Sequence, residues 1–493
     1  MSDTSLWLAR PDRLPLDSVH FDQKYDTVVV GAGLTGLVTA LLFARDGDRV
    51  AVVEARTAGA VTTGNTTAKI SVLQGAKLSS IAAKHSFDTV RKYVRANTAA
   101  QSWLIDYCTE RGIAVQREDA YTYANTASGD KTVREEMRLA IAAGMNASYC
   151  TDTELPFDVV GAVKVPDQAQ FDPMDAVEAL VEDAADAGAH ICENTRVRSV
   201  ARRRGHVDVA TDRGTIRADR VVLATGMPIL DRGGFFARLE PLRSYAAAYE
   251  VAGPIPRGMY LAADSPDRSL RYAPSERGDL LVVGGNGHVV GREPSPQAQV
   301  DDLDRWTSEH FPGARRVHRW SAQDYESIDV LPYAGALLPG DDRISIATGY
   351  DKWGMTNAVA AAMVLAQRAF GGDLDWTDAF DSWNLRQANG ATSALRLNAN
   401  VGVYMARGWI EPVLSGSPSA PPAEGEGRVE RGIVPRAVCT VDGTTHNVAA
   451  VCPHLGGIVS WNDAEKSWDC PLHGSRFAPD GTVLEGPVTT GLR

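Results

Sequence analysis

Four side chains near the C-terminus have the types and the spacing to hold metal: Cys452-Pro-His454 and, after fifteen intervening residues, Cys470-Pro-Leu-His473. Thiolate and imidazole are both zinc ligands, and two of each would complete a tetrahedral site. The C-x-H pair fits poorly to the usual knuckle, in which two to four residues separate paired cysteines. Both pairs also run into glycine, as His454-Leu-Gly456-Gly457 and His473-Gly474-Ser475. The competing chemistry is one-electron transfer by a two-iron cluster, with two thiolates on one iron and two imidazoles on the other.

A second constellation lies near the other end. Gly31-Ala-Gly33-Leu34-Thr35-Gly36 directly follows the apolar run Thr27–Val30 and opens a helix-periodic stretch, the context a dinucleotide fingerprint requires. The first glycine permits the tight turn, the second lets backbone approach a pyrophosphate, and the third lets helix and strand pack closely. Glu54 closes the next apolar run, where a carboxylate accepts from ribose hydroxyls, and Ala55 and Arg56 follow it. NAD and FAD both remain open at this point. Three later features favour FAD. Arg220-Val-Val-Leu-Ala-Thr225-Gly226 is a strand ending in Ala-Thr-Gly. Ile344 to Gly349 runs through a glycine turn into Gly354-Met355-Thr356 and a helix, whose N-terminus would stabilise negative charge on a reduced flavin. Thr63-Gly-Asn-Thr66-Thr67-Ala68-Lys69 is a small polar loop suited to pyrophosphate and ribityl.

The cysteine–histidine tail resembles a Rieske 2Fe-2S domain. Gly457 and Leu472 stand where respiratory-chain Rieske proteins carry an extra disulfide, and Phe477 where they place a tyrosine, which implies a lower-potential, ferredoxin-like module. Residues 22 to 390 resemble the D-amino-acid oxidase superfamily of FAD enzymes, to which Phe171-Asp-Pro173, Gly188-Ala, Thr195-Arg-Val197 and Asp329-Val-Leu-Pro332 also fit. The resemblance extends Val197 to the cofactor set. Ser5-Leu-Trp7-Leu, the Gly-Asn-Thr-Thr-Ala-Lys loop and Trp320-Ser-Ala-Gln-Asp-Tyr325 are similar to the bacterial subgroup that fuses such a flavoprotein to a C-terminal Rieske domain. Superfamily members mostly dehydrogenate C–N bonds of amines and amino acids. The Trp320 segment departs from several oxidases, which have arginine there, so an amino-acid substrate does not carry over.

These sites need elements to position them. Strand, glycine turn, helix and strand from Asp26 open a doubly wound α/β fold. Helices are expected at 86–110, 131–143, 175–187, 297–310 and 357–370. Strands are expected at 193–202, 206–211, 220–224, 244–251, 280–284 and 343–347. Short strands between Glu240 and Gly291 imply an inserted antiparallel substrate layer. Residues 411–428, rich in Pro, Ser, Gly and Glu, read as a linker between an oxidoreductase spanning 1–410 and an all-β module spanning 429–493. The 493 residues carry a net charge of −12 with no basic run, which argues against nucleic acid and anionic lipid. No window of 18 apolar residues and no signal peptide is present, so a cytoplasmic protein is expected. Cys108, Cys150, Cys192 and Cys439 read as ordinary thiols rather than a disulfide framework. Val283-Gly-Gly-Asn-Gly287 is not followed by a helix, which speaks against a second dinucleotide, and His288, His310 and His318 lack ligand spacing.

A flavin accepts two electrons and a Rieske cluster passes one, so their union makes a two-to-one converter. The reading is a dehydrogenase that oxidises a small substrate, an amine by expectation, and delivers electrons singly to a carrier such as a ferredoxin. Reversed flow and a redox-sensing or docking role are the alternatives. Arg271, Tyr272, Gln323, Asp324, Tyr325 and Lys352 are the candidates for the substrate side.

Overall fold

Strand Lys24–Val30 is buried through its valine run and pairs in parallel with Val50–Val53 on one side and Thr215–Leu223 on the other. A run buried on both faces belongs at the centre of a parallel sheet. The computed structural model describes residues 3–11, 14–414 and 420–493. The sheet order is Tyr333–Ala336, Ile344–Thr348, Thr215–Leu223, Lys24–Val30, Val50–Val53 and His190–Cys192, with the hairpin Val197–Arg202/Val207–Thr211 joined to the third strand. Helix Leu34–Arg45 packs against helix Gly354–Phe370, which in turn meets helix Phe87–Glu110. The α/β class expected from the sequence is the one observed.

The inserted layer is a mostly antiparallel nine-stranded sheet. It runs Arg315–Ser327, Leu239–Glu250, Leu280–Val289, Arg268–Ala273, Met259–Ala262, Val115–Ala124, Gly161–Phe171 and Lys69–Ile70, with Ser148–Cys150 paired to Gly161–Phe171. Three of its long strands, Val115–Ala124, Gly161–Phe171 and Arg315–Ser327, escape the sequence reading because charged and glutamine residues interrupt their alternation. Gly284 and Gly285 sit mid-strand rather than in a strand-to-helix turn, in keeping with the case against a second dinucleotide there.

The C-terminal module has a three-stranded sheet (Gly427–Glu430, Arg436–Val441, Thr444–Ala449) and a four-stranded one (Ser460–Asn462, Ser467–Asp469, Arg476–Phe477, Val483–Glu485). Cys439 lies in its core with Trp468 and Phe477. The expected linker is narrower than its composition implies. Helix Ala391–Leu414 runs into its first four residues, and its last residues are already in the module, since Glu424 bridges Thr440 and Gly427 pairs with Cys439. Val401, Tyr404 and Met405 of that helix, which is absent from the sequence-based expectation, pack against the module's core.

Module and nine-stranded sheet share a buried ionic interface. Arg243 pairs with Glu465 and Glu485, Arg476 pairs with Glu465, Glu485 and Asp469, and the Ser321 hydroxyl donates to Glu465. The module therefore docks on its own chain.

Candidate functional site

A cleft of about 640 Å³ opens between the two large sheets. Its floor is the glycine turn. Gly31 has φ +105°, and a Cβ there would sit 2.5 Å from the Ala224 carbonyl, so turn and Ala-Thr-Gly strand approach as only glycine allows. A Cβ on Gly36 would overlap the Gly31 carbonyl, which keeps helix against strand. Glu54 lines the cleft, its carboxylate accepting from Ala32 N–H and Arg56 N–H at 2.8 Å each, while burial raises its proton affinity.

The polar loop is held from behind. Trp320 Nε1 donates to the Asn65 carbonyl (2.9 Å), Trp7 Nε1 to Thr66 (2.7 Å), and Arg271 Nη1 to Thr67 (2.8 Å) and Ala68 (3.0 Å). Four consecutive carbonyls are thus pinned, while Thr66, Thr67 and Lys69 line the cleft. The Lys69 ammonium reaches Ser269 Oγ, and burial, reinforced by Arg271, brings its pKa down to about 7. On the opposite wall burial pushes Asp324 up to about 7, against N–H groups donated by Tyr325 and Lys352. Lys77 pairs with Asp351 at 2.8 Å in the same wall. The C-terminal module closes the cleft with Leu484, Glu485, Gly486, Val488 and Thr489.

The two ligand loops are built alike. Cys452 N–H donates to Gly457 O and Gly456 N–H to Cys452 O; Cys470 N–H donates to Ser475 O and Gly474 N–H to Cys470 O. The fourth residue after each cysteine is a left-handed glycine, Gly456 at φ +74° and Gly474 at +77°. The two imidazoles stand 4.8 Å apart between centroids. His454 Nε2 meets Asp231 of the N-terminal portion at 2.7 Å, whereas its buried Nδ1 has no partner. A carboxylate behind an imidazole, with the other nitrogen turned inward and free, is how metal-bound histidines are oriented. Among the described residues no three ligand side chains converge on one point; the arrangement is two pairs. Phe236 packs edge-on against both imidazoles.

The family model of FAD dependent oxidoreductases matches residues 26–368. The chain belongs to this family. A Rieske 2Fe-2S domain model matches residues 419–493. This FAD oxidoreductase is 29% identical to the Rieske 2Fe-2S iron-sulfur protein YhfW of Bacillus subtilis (strain 168), over 99% of this chain and 96% of the relative. It is 24% identical to glycine oxidase of Bacillus licheniformis, over 73% of this chain and 97% of that one. The crystal structure of glycine oxidase from Geobacillus kaustophilus shares the fold, at TM-score 0.61 and 19% identity, over 71% of this chain and 95% of that one. The oxidoreductase domain binds FAD and the Rieske domain binds a 2Fe-2S cluster.

The cleft of this FAD oxidoreductase fits its cofactor, with a glycine floor too tight for side chains, a carboxylate at the end of the second strand and a volume in the ligand-pocket range. Of the residues expected at FAD, Gly31, Gly33, Leu34, Thr35, Glu54, Ala55, Arg56, Thr66, Thr67, Lys69, Val197, Thr225, Gly226, Gly354 and Met355 line the cleft. Gly36, Ala68, Gly349 and Thr356 stand outside its lining; Thr356 bonds Asn97 Oδ1 at 2.6 Å.

The substrate-side expectations divide. Asp324, Tyr325 and Lys352 line the cleft, but Arg271, Tyr272 and Gln323 do not. Arg271 is fully buried and committed to loop carbonyls. Tyr272 points elsewhere, donating to Glu118 (2.6 Å) under the Arg257 guanidinium. Gln323 faces the Rieske module. Tyr245, Ser269, Lys77, Asp351 and Tyr350, all lining the cleft, are missed because their strands and loops come together only through the tertiary fold. His288, His310 and His318 bond Tyr245, Trp306 and Thr4 respectively, as satisfied histidines do. Among the described residues no helix is long and apolar enough to cross a membrane.

Proposed function

We propose that the protein is a dehydrogenase of a small amine or amino-acid-like C–N bond, whose electrons leave one at a time by way of the Rieske module to a carrier protein such as a ferredoxin. One observation carries this reading: the module that holds the cluster ligands also closes the cleft lined by the glycine turn, Glu54 and Asp324. Bound FAD supplies a two-electron acceptor, and the cluster a one-electron path. Gly31, Gly33, Leu34, Glu54 and the 65–69 loop would hold the cofactor; Cys452, Cys470, His454 and His473 would hold the irons.

This chain's own part is positioning and proton management. Asp324 and Lys69, both poised near neutrality, are placed to take or give a proton at a bound amine. Tyr325, Lys352 and Tyr245 shape the wall around it. We assign residues up to Leu414 to the oxidoreductase and those from about Ala420 to the Rieske module. Anaerobic screening of amines and amino acids for bleaching of the flavin absorbance is the test. Bleaching by one class, with the cluster reduced afterwards, is expected; a flavin reduced only through the cluster by a reduced carrier would reverse the proposed direction.

A further inference from the structure

Cleft and ligand loops meet at one side chain. Gln323 is 1% exposed on strand Arg315–Ser327. Its Nε2 donates at 2.8 Å to the Tyr325 hydroxyl and at 2.8 Å to the Gly474 carbonyl. Tyr325, two residues along and so on the same face of the strand, lines the cleft. Its ring lies against Gly226, where a Cβ would come within 2.8 Å of it. Gly474 is bonded to ligand His473 through the peptide and donates to the carbonyl of ligand Cys470. A second tie runs from the cleft to the same residue, since Thr62 Oγ1, at the cleft wall, donates to the Gln323 carbonyl at 2.7 Å.

We infer that Gln323 is the connector between the two redox sites, a positioning residue that holds Tyr325 and the 470–475 loop in continuous hydrogen-bonded contact for electron passage from cleft to cluster. The inference rests on the exit route proposed above. The step moves one electron: reduced flavin loses it, one iron passes from ferric to ferrous, and no bond at Gln323 is made or broken. Electronic coupling falls off more slowly through bonded contacts than across a gap, so a side chain that fixes both ends governs the rate. Both Nε2 protons are committed to oxygen acceptors, while Oε1 has no partner among the described residues. Glutamate at this position carries at most one donor proton even when burial keeps it protonated, so it cannot make both bonds, and leucine has no donor at any pH.

The test uses the full-length protein loaded with FAD and cluster, its flavin photoreduced without oxygen, so that no substrate need be known. The appearance of the reduced-cluster paramagnetic resonance signal is followed in time. Gln323→Leu and Gln323→Glu are expected to slow it at least tenfold and to shift the g values of the reduced cluster, because the Gly474–Ser475 peptide loses its anchor. Ser295→Ala, which removes a 2.8 Å bond to Asp463 at the same interface, is expected to leave rate and g values unchanged. Unaltered transfer in Gln323→Leu overturns the connector, and so does equal slowing in Ser295→Ala. Failure of the unmodified protein to pass electrons from flavin to cluster overturns the exit route itself, which is a distinct result.

Discussion

Arg243 of the substrate sheet grips Glu465 of the Rieske module through two bonds, Nε at 2.6 Å and Nη2 at 2.8 Å, with the arginine 3% exposed. Arg476 holds the same carboxylate from the module side at 2.7 Å. Two guanidinium groups and three carboxylates, Glu465, Glu485 and Asp469, share one interface, each carboxylate paired with at least one arginine. A module held this way does not depend on its linker for placement.

Removing one member should therefore be severe. Arg243→Met leaves Glu465 and Glu485 short of a buried cation, which costs about 3–5 kcal/mol when one partner of a buried pair is lost. Burial works against both carboxylates, but Arg243 and Arg476 overcome it and hold them below the usual carboxylate range. Their contribution is therefore present above about pH 4.5 and lost on acidification below it. Thermal melts of wild type and Arg243→Met should converge as the pH falls through that range; a gap that stays constant down to acid pH would count against the network.

Glu54→Ala should weaken FAD retention without unfolding the parallel sheet. The carboxylate fixes the Ala32 and Arg56 N–H groups and faces the cleft, so in the proposed site its loss would remove the ribose partner and loosen the turn. Gel filtration should strip flavin from the variant while far-ultraviolet circular dichroism stays unchanged. Full retention of FAD would relocate the ribose contact.

Lys69 and Asp324 carry opposite pH signatures. Lys69, at about 7, lies below its ordinary 10.5, so between those values the unfolded chain binds a proton the folded one does not. Its burial cost is full below pH 7 and fades towards alkaline pH. Lys69→Met should raise the melting temperature most near about pH 6, by an amount worth a few kcal/mol at roughly 1.4 kcal/mol per tenfold change in proton affinity. Asp324, raised from 3.8 to about 7, costs nothing below about pH 3.8, increasingly more up to about pH 7 and its full amount above that, so Asp324→Asn should gain most near about pH 8. Melting-temperature differences that do not vary with pH would contradict both assignments.

What the sequence disclosed follows from what is local. The glycine turn, Glu54 and both ligand loops are set by neighbours within a few residues, and all stand where spacing places them. Arg271 and Gln323 read from sequence as substrate-side candidates, and the strand that holds Gln323 is itself missed. Whether such a residue faces a ligand or a carbonyl depends on contacts such as Arg271 to Thr67 and Gln323 to Gly474, which join distant parts of the chain. The helix Ala391–Leu414 was hidden for the same reason. Its half-buried stripe, Val401, Tyr404 and Met405, has meaning only against the module that follows it.

The functional claim, exit of electrons through the cluster, needs a variant that silences the cluster and leaves the cleft intact. Deleting the module is unsuitable, because Leu484 to Thr489 wall the cleft and Arg243 would be bared. Cys452→Ser removes one thiolate from a loop whose backbone bonds, Cys452 N–H to Gly457 O and Gly456 N–H to Cys452 O, do not involve sulfur. The variant should keep FAD, lose the mixed cysteine–histidine resonance signal and lose the two irons and two sulfides expected of a Rieske site. With a substrate that bleaches the flavin, the first reduction should proceed at the wild-type rate, while steady turnover with a one-electron acceptor falls at least tenfold. Zinc in place of iron and sulfide in the anaerobically prepared wild type would refute the cluster. Undiminished turnover of Cys452→Ser with the natural carrier would instead take the cluster off the electron path and leave the module a docking or sensing role.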